Sequence, residues 1–245
     1  LSVVVPAFRE ERIGIAVMQL RDALADVETN GGVEIIVVDD GSHDGTAELA
    51  EQAGADVVLR QPVNRGKGAA VRAGMLVAGG STVAFTDADL SYAPAQLLVL
   101  LSEVEAGWDV VVGSRRHTET TTLVRAGRLR ELGGRVINLL TNVVLLGAHR
   151  DTQCGIKAFR GDAAALIFSH SHIDGFAFDV EVFHLVERYG LSLQEVPVQV
   201  ANSTRSTVKV ARDAYRLIRD LFWIRRWSRL GVYDVGADET LPVFD

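Results

Sequence analysis

TVAFTDADLS, residues 82–91, reads as a short buried strand that runs out into two carboxylates, Asp87 and Asp89. A hard divalent cation takes oxygen ligands and keeps positions open for phosphate oxygens. An acidic pair spaced i and i+2 at the carboxyl end of a buried strand therefore suits a metal that grips a diphosphate. The same two residues also fit a solvated acidic turn, Asp being a good turn former. The rest of the chain has to decide between the two.

Outward from that stretch, β-branched runs recur at 2–6, 34–38, 56–59 and 109–112, with helical stretches between them. Short runs that look buried on both faces and alternate with helices predict an α/β fold on a mostly parallel sheet. Ligands of such sheets sit at the carboxyl ends of the strands. Those ends read Pro6-Ala7-Phe8-Arg9-Glu10, Asp39-Asp40-Gly41-Ser42, Asp87-Ala88-Asp89 and Gly113-Ser114-Arg115, so every functional-looking motif falls on one edge. Solvated acidic turns would be scattered over both edges. No GxGxxG follows the first strand, which argues against a dinucleotide-binding domain. Residues 64–68, NRGKG, lack the spacing of a P-loop, which leaves Lys67 either touching a phosphate donor or simply opening the helix that follows.

Composition places the chain among globular domains: 245 residues at 48% hydrophobic and 23% charged can bury a core without staples. The single cysteine, Cys154, excludes an internal disulfide, has no zinc-spaced partners, and fits a reducing cytosol. No secretory start is visible from Leu1. The longest apolar run, 136–148, is interrupted by Asn138, Thr141 and Asn142 and falls short of the roughly 20 residues a membrane span needs.

Eight segments carry a resemblance that spans nearly the whole chain: VPAFREE (5–11), VVDDGSHDGT (37–46), NRGKGAAVRAGM (64–75), DADLS (87–91), GSR (113–115), RDTQCGIKAF (150–159), FAFDVEVF (176–183) and RDLFWIRRWSRLGVY (219–233). In this order and spacing they resemble the inverting family 2 glycosyltransferases of GT-A fold, in particular the dolichyl- or polyprenyl-phosphate glucosyltransferases. The resemblance implies a Rossmann-like single catalytic domain over 1–200, with a nucleotide-binding half at 1–115 and an acceptor half at 116–200. Pro6, Phe8, Glu10, Asp40, Lys67, Asp87 and Ala88 are then expected around the nucleotide sugar. Asp87, Asp89 and Gln153 are expected as ligands of Mg2+ or Mn2+. Ser91 stands where related phosphomannose synthases can carry a Gln, a departure that touches the ligand set.

The acceptor decides the remaining chemistry. A sugar hydroxyl must lose a proton during attack and wants a carboxylate base, whereas a phosphate monoester, with its second pKa near 6, is already largely dianionic at neutral pH. Such an acceptor needs cations to position it. Arg115, Arg128 and Arg130 are the candidates among the arginines of 115–135, because a guanidinium can bond two phosphate oxygens at once. By resemblance, Asp151 is a positioning or base-like carboxylate and Asp179 the alternative base. Asp179 and Glu181 equally fit acids placed at the start of a helix to complement its dipole.

Residues 201–245 are expected to form a basic amphipathic helix and tail. Between 201 and 230, eight basic residues face two acids, in a chain whose overall formal charge is −7. Arg205, Lys209, Arg212, Arg216 and Arg219 share one arc of a helical wheel, and Val210, Ala211, Ala214, Leu217, Ile218 and Leu221 share the other. Trp223 falls on the basic side. A cationic face bearing Trp suits an anionic membrane surface, with the apolar arc packed on the core. The rest of the chain is acidic and shows no nucleic-acid motif, so nucleic acid is not an expected partner. The combined expectation is a peripheral enzyme on the cytoplasmic face of a membrane that moves glucose from UDP-glucose to a polyprenyl phosphate with inversion. GDP-mannose as donor and a hydroxyl acceptor remain the alternatives.

Overall fold

The computed structural model describes residues 1–115, 121–122, 154–200 and 210–236. Its main sheet has seven strands in the order β3-β2-β1-β4-β7-β5-β8, formed by β1 (Ser2–Ala7), β2 (Glu34–Asp39), β3 (Val57–Arg60), β4 (Thr82–Phe85), β5 (Val110–Ser114), β7 (Lys157–Arg160) and β8 (Leu193–Pro197). A small two-stranded parallel sheet pairs β6 (Thr121–Thr122) with β9 (Gln199–Val200). All five strands read from the sequence are present, and the pairings β1–β2, β1–β4, β2–β3 and β5–β8 are parallel. Strand β7, not read from the sequence, inserts antiparallel between β4 and β5.

Helices cover both faces because the strand side chains alternate. Val3, Val5, Ile35, Val37 and Val111 face α1 (Ile13–Ala23) and α5 (Gln96–Glu105), which bury Ile13, Val17, Leu20, Leu97 and Leu100 against them. Val4, Ile36, Val38, Phe85 and Val112 face the opposite core, shared with α4 (Lys67–Val77), α6 (Gly161–His170), α7 (Phe178–Arg188) and α8 (Val210–Arg229). The short α2 (Ala25–Asn30) and α3 (Thr46–Gln52) complete the first half. Close docking of α4 on β1 and β2 depends on Gly74, where a Cβ would stand 3.0 Å from Val38 Cγ2 and would also clash with Val4.

Two consequences of this topology build the site. The carboxyl ends of β1, β2, β4 and β5 open on one edge, the first three by parallel pairing and β5 because both it and β4 run antiparallel to β7. Because β7 runs the other way, its first residue comes to that same edge, where Lys157 is in register with Phe85 and with Val112. On α8 the buried stripe is Leu217, Asp220, Leu221 and Ile224, a spacing of three and four. Ile218, placed on the apolar arc from the sequence, is instead 55% exposed beside Phe222 at 62%, because the core-facing stripe is narrower than the apolar arc. Among the described residues no helix is long and apolar enough to cross a membrane.

Candidate active site

Asp87 follows β4 by two residues and is held from two sides. The Lys67 ammonium donates to its Oδ1. Its other face lies against Gly155, where a Cβ would sit only 2.6 Å from Asp87 Cγ. Any side chain at 155 would push the carboxylate off the strand end. Lys67 is the first residue of α4 and lines the adjoining cleft, so it does open a helix as well as face the acidic pair. Burial pulls its ammonium pKa down, but the Asp87, Asp179 and Asp89 carboxylates outweigh that and raise it above the ordinary 10.5. Asp89 is exposed, and its Oδ1 accepts from Ser91 N (3.0 Å) and Ser91 Oγ (2.7 Å), so Ser91 orients the second carboxylate.

The donor set fits a hard divalent ion. Asp87 and Asp89 offer carboxylate oxygens only, and Lys67 shows that the space beside Asp87 Oδ1 receives a cation. Among the described residues no third His, Cys, Asp or Glu joins them, which leaves coordination positions for phosphate oxygens. Gln153, Asp151, Arg128 and Arg130 lie outside the described residues. Arg115 ends the β5 edge and is exposed.

Behind the pair lies an ion pair that sequence reading missed. Lys157 is fully buried, and its Nζ donates to Asp179 Oδ1 (2.6 Å) and to the Cys154 carbonyl (2.7 Å). The rings of Phe85 and Phe183 sit 5.3 and 5.8 Å from that ammonium. The available signal was a lysine inside the apolar run GIKAF, since a buried lysine requires an acidic partner. Asp179 is 6% exposed, so its carboxylate packs as the counter-ion of Lys157 in the first turn of α7. Burial pushes its pKa above 3.8, and Lys157 and Lys67 pull it part of the way back.

A cleft of about 930 Å3 opens beside these charges, with Pro6, Phe8, Asp40 and Lys67 on one wall and Arg216 and Trp223 of α8 on the other. Phe8 is 43% exposed at its mouth, with the Arg9 guanidinium 5.1 Å from its ring centroid. Asp40 accepts the backbone N–H groups of Arg65 and Gly66, both at 2.8 Å, and so fixes the loop that delivers Lys67. Burial raises the Asp40 pKa against the pull of those two bonds. Glu10 is not brought to the cleft lining: its carboxylate accepts Arg12 N at 3.1 Å, and its own N–H donates to Thr46 Oγ1. Ala88 is half-buried and packs against the core that Val3, Val5 and Val37 share.

The far wall is tied together by Glu181, fully buried, whose carboxylate accepts His172 N, Ile173 N (2.8 Å) and the Tyr233 hydroxyl (2.7 Å). Glu181 is thus a clamp between the 172–173 backbone and the turn that follows α8, more than a complement to a helix dipole. The His172 ring stacks on Tyr233 and meets Trp227 edge-on at 5.4 Å. Trp227 therefore faces the core wall, unlike the exposed Trp223.

Burial, helped by Arg72 and His170, holds the His172 pKa below 6.5, and burial with Arg188 does the same for His184 against the opposing pull of Glu187. With folded pKa values below the unfolded one, protons bind the unfolded chain first as pH falls through 6.5, so stability is lost below that pH. The raised carboxylates Asp40, Asp179 and Glu181 act in the opposite sense, and all three are retained in a histidine variant, so the difference between variant and wild type isolates the histidines. The expected result is a urea midpoint, followed by Trp fluorescence, that falls between pH 7.5 and 5.5, and a visibly smaller fall in the His172→Gln, His184→Gln double variant. Equal slopes for the two proteins would contradict this assignment.

Residues 2–168 match glycosyl transferase family 2. The dolichyl-phosphate beta-glucosyltransferase of Drosophila melanogaster is 35% identical over 97% of this chain and 76% of its own length. The human enzyme of the same name is 31% identical over 92% of this chain and 74% of its own. Among solved structures, glucosyl-3-phosphoglycerate synthase from Mycobacterium tuberculosis with Mn2+, UDP-glucose and phosphoglyceric acid has a TM-score of 0.68 at 25% identity, covering 92% of this chain and 79% of that one. Its complex with Mg2+ and UDP gives 0.68 at 26%, covering 96% and 80%. The mostly parallel sheet with flanking helices and these neighbours bear out the GT-A architecture. With its family matched over residues 2–168 and relatives alike along almost its full length, the chain belongs to glycosyl transferase family 2.

Proposed function

We propose that this chain transfers glucose from UDP-glucose to the phosphate of a polyprenyl lipid, with inversion at the anomeric carbon, at the cytoplasmic face of a membrane. The observation that carries the reading is the acidic strand end, Asp87 and Asp89 with Lys67, in a chain alike over nearly its whole length to dolichyl-phosphate beta-glucosyltransferases.

In this reading the cleft holds the nucleoside against Pro6 and Phe8, and Asp40 keeps the 64–66 loop in place so that Lys67 reaches the diphosphate. Asp87 and Asp89 would hold Mg2+ or Mn2+, with Gln153 as a further ligand, and the ion supplies charge neutralisation on the departing nucleotide. An acceptor phosphate oxygen forms the new bond to the anomeric carbon as the bond to the UDP oxygen breaks, and no proton has to be removed. Arg115, Arg128 and Arg130 position that phosphate. The ion pair of Asp179 with Lys157 favours a positioning role for Asp179 and leaves Asp151 as the carboxylate nearest in role to a base.

The exposed face of α8 supports membrane contact, since Ile218, Phe222 and Trp223 project among Arg216, Arg219, Arg225, Arg226 and Arg229. The buried Cys154 fits the reducing side.

The test is incubation with labelled UDP-glucose, GDP-mannose or UDP-N-acetylglucosamine and either polyprenyl phosphate in anionic vesicles or a water-soluble hydroxyl acceptor. Labelled lipid from UDP-glucose is expected. In the Ile218→Ser, Phe222→Ser double variant the vesicle rate should fall on the order of tenfold, with the rate on a detergent-dispersed short-chain prenyl phosphate unchanged. Labelling from GDP-mannose alone, or of the hydroxyl acceptor alone, would overturn the reading.

A further inference from the structure

The same carboxylate oxygen that the proposed function assigns to a divalent ion already carries a cation of the protein's own. Lys67 Nζ sits on Asp87 Oδ1, the opposite side of that carboxylate is closed by Gly155, and Asp89 is tied to Ser91. Lys67 faces Asp87, Asp89 and Asp179, with the Phe178 ring 5.9 Å away, while Lys157 balances Asp179 from behind. Three carboxylates and two ammonium groups leave this cluster one negative charge. A divalent ion alone would turn it positive, with Lys67 as its immediate neighbour. A diphosphate brings back the negative charge and offers Lys67 a new partner.

The surroundings allow Lys67 to make that exchange by side-chain motion. Its backbone is fixed, because Asp40 holds the two preceding N–H groups and α4 begins at Lys67 itself. Its four-carbon stem is flexible and lines the cleft on the nucleotide side. We infer that Lys67 acts as a built-in substitute cation that makes divalent-ion binding at Asp87 conditional on a nucleotide diphosphate. In the free protein Lys67 closes Asp87 against ions, and with the diphosphate present Lys67 turns to the phosphates and releases the carboxylate. Ion and nucleotide then bind with positive coupling. That coupling is reciprocal: each tightens the other by one and the same factor. This inference rests on the proposed role of Asp87.

The test is a binding cycle on the full chain, with free Mn2+ followed by electron paramagnetic resonance and UDP by calorimetry, each alone and each in the presence of the other. The Lys67→Met and Lys67→Gln variants, checked for native thermal midpoints, should bind Mn2+ without nucleotide at least about tenfold tighter than the wild type. Their coupling factor between Mn2+ and UDP should shrink by the same ratio. Arg65→Met removes an exposed cation from the same loop and cleft. It should leave nucleotide-free Mn2+ affinity within about twofold, which separates direct occupancy from general charge. Unchanged or weaker nucleotide-free Mn2+ binding in both Lys67 variants, or an equal gain in Arg65→Met, overturns the inference. Asp87→Asn distinguishes that failure from a failure of the underlying reading. Loss of UDP-dependent Mn2+ binding in Asp87→Asn keeps Asp87 as the ligand, whereas retention removes the reading on which the inference stands.

Discussion

Replacing Asp87 with alanine should lower the rate of glucosyl transfer by on the order of 10^3-fold or more while leaving the fold intact. The large kinetic effect follows from removing the strand-end carboxylate where the leaving diphosphate must be neutralised. The small structural effect follows from exposure. Asp87 and Lys67 retain 30% and 23% of their side-chain exposure, so their ion pair is partly screened by solvent and its loss should cost about 1 kcal/mol or less. Lys67 would still face Asp179. The check is labelled-lipid formation at saturating donor alongside a thermal melt. A variant that keeps more than a tenth of the rate contradicts the role assigned to Asp87.

The second large effect is on stability. Lys157→Met should destabilise the chain by about 3–5 kcal/mol, because it strands the Asp179 carboxylate in a site that excludes water. Unlike the Lys67 pair, this one is 0% and 8% exposed, and the lost ammonium also bonds the Cys154 carbonyl. Replacing both partners, Lys157→Met with Asp179→Leu, removes the stranded charge and should recover most of the loss. Urea unfolding of the two singles and the double measures the coupling. A double variant no more stable than Lys157→Met would show that shape, and not the unpaired charge, dominates.

These two residues also mark how far the sequence could be read. Strands β1 to β5 were legible because each is a short apolar run carrying β-branched residues, and the Pro-, Asp- and Gly-bearing motifs at the ends of β1, β2, β4 and β5 placed Asp40 and Asp87 on one edge together. Strand β7 was not legible, since KAFR has no β-branched residue and a charged residue at each end, and its antiparallel direction is set by tertiary pairing with β4 and β5. Missing it meant missing Lys157. Glu181 looked like a helix-start acid because its local context, FAFDVEVF, gives no hint that Tyr233 and the 172–173 backbone converge on it from 52 and 9 residues away. The local bond from Arg12 N to the Glu10 carboxylate was likewise not legible, because the motif alone leaves that side chain without a partner. On α8 the basic arc was visible as charge segregation, while the exposure of Ile218 and Phe222 depends on how narrow a stripe the sheet side accepts.

The most direct measurement is the manganese anomalous signal in crystals grown with UDP. The account predicts one strong peak bonded to a carboxylate oxygen of Asp87 or Asp89 and to the diphosphate, with Lys67 turned from Asp87 toward the phosphates. A peak remote from both carboxylates, or UDP seated in the cleft with Lys67 still on Asp87 and no manganese beside it, would contradict it.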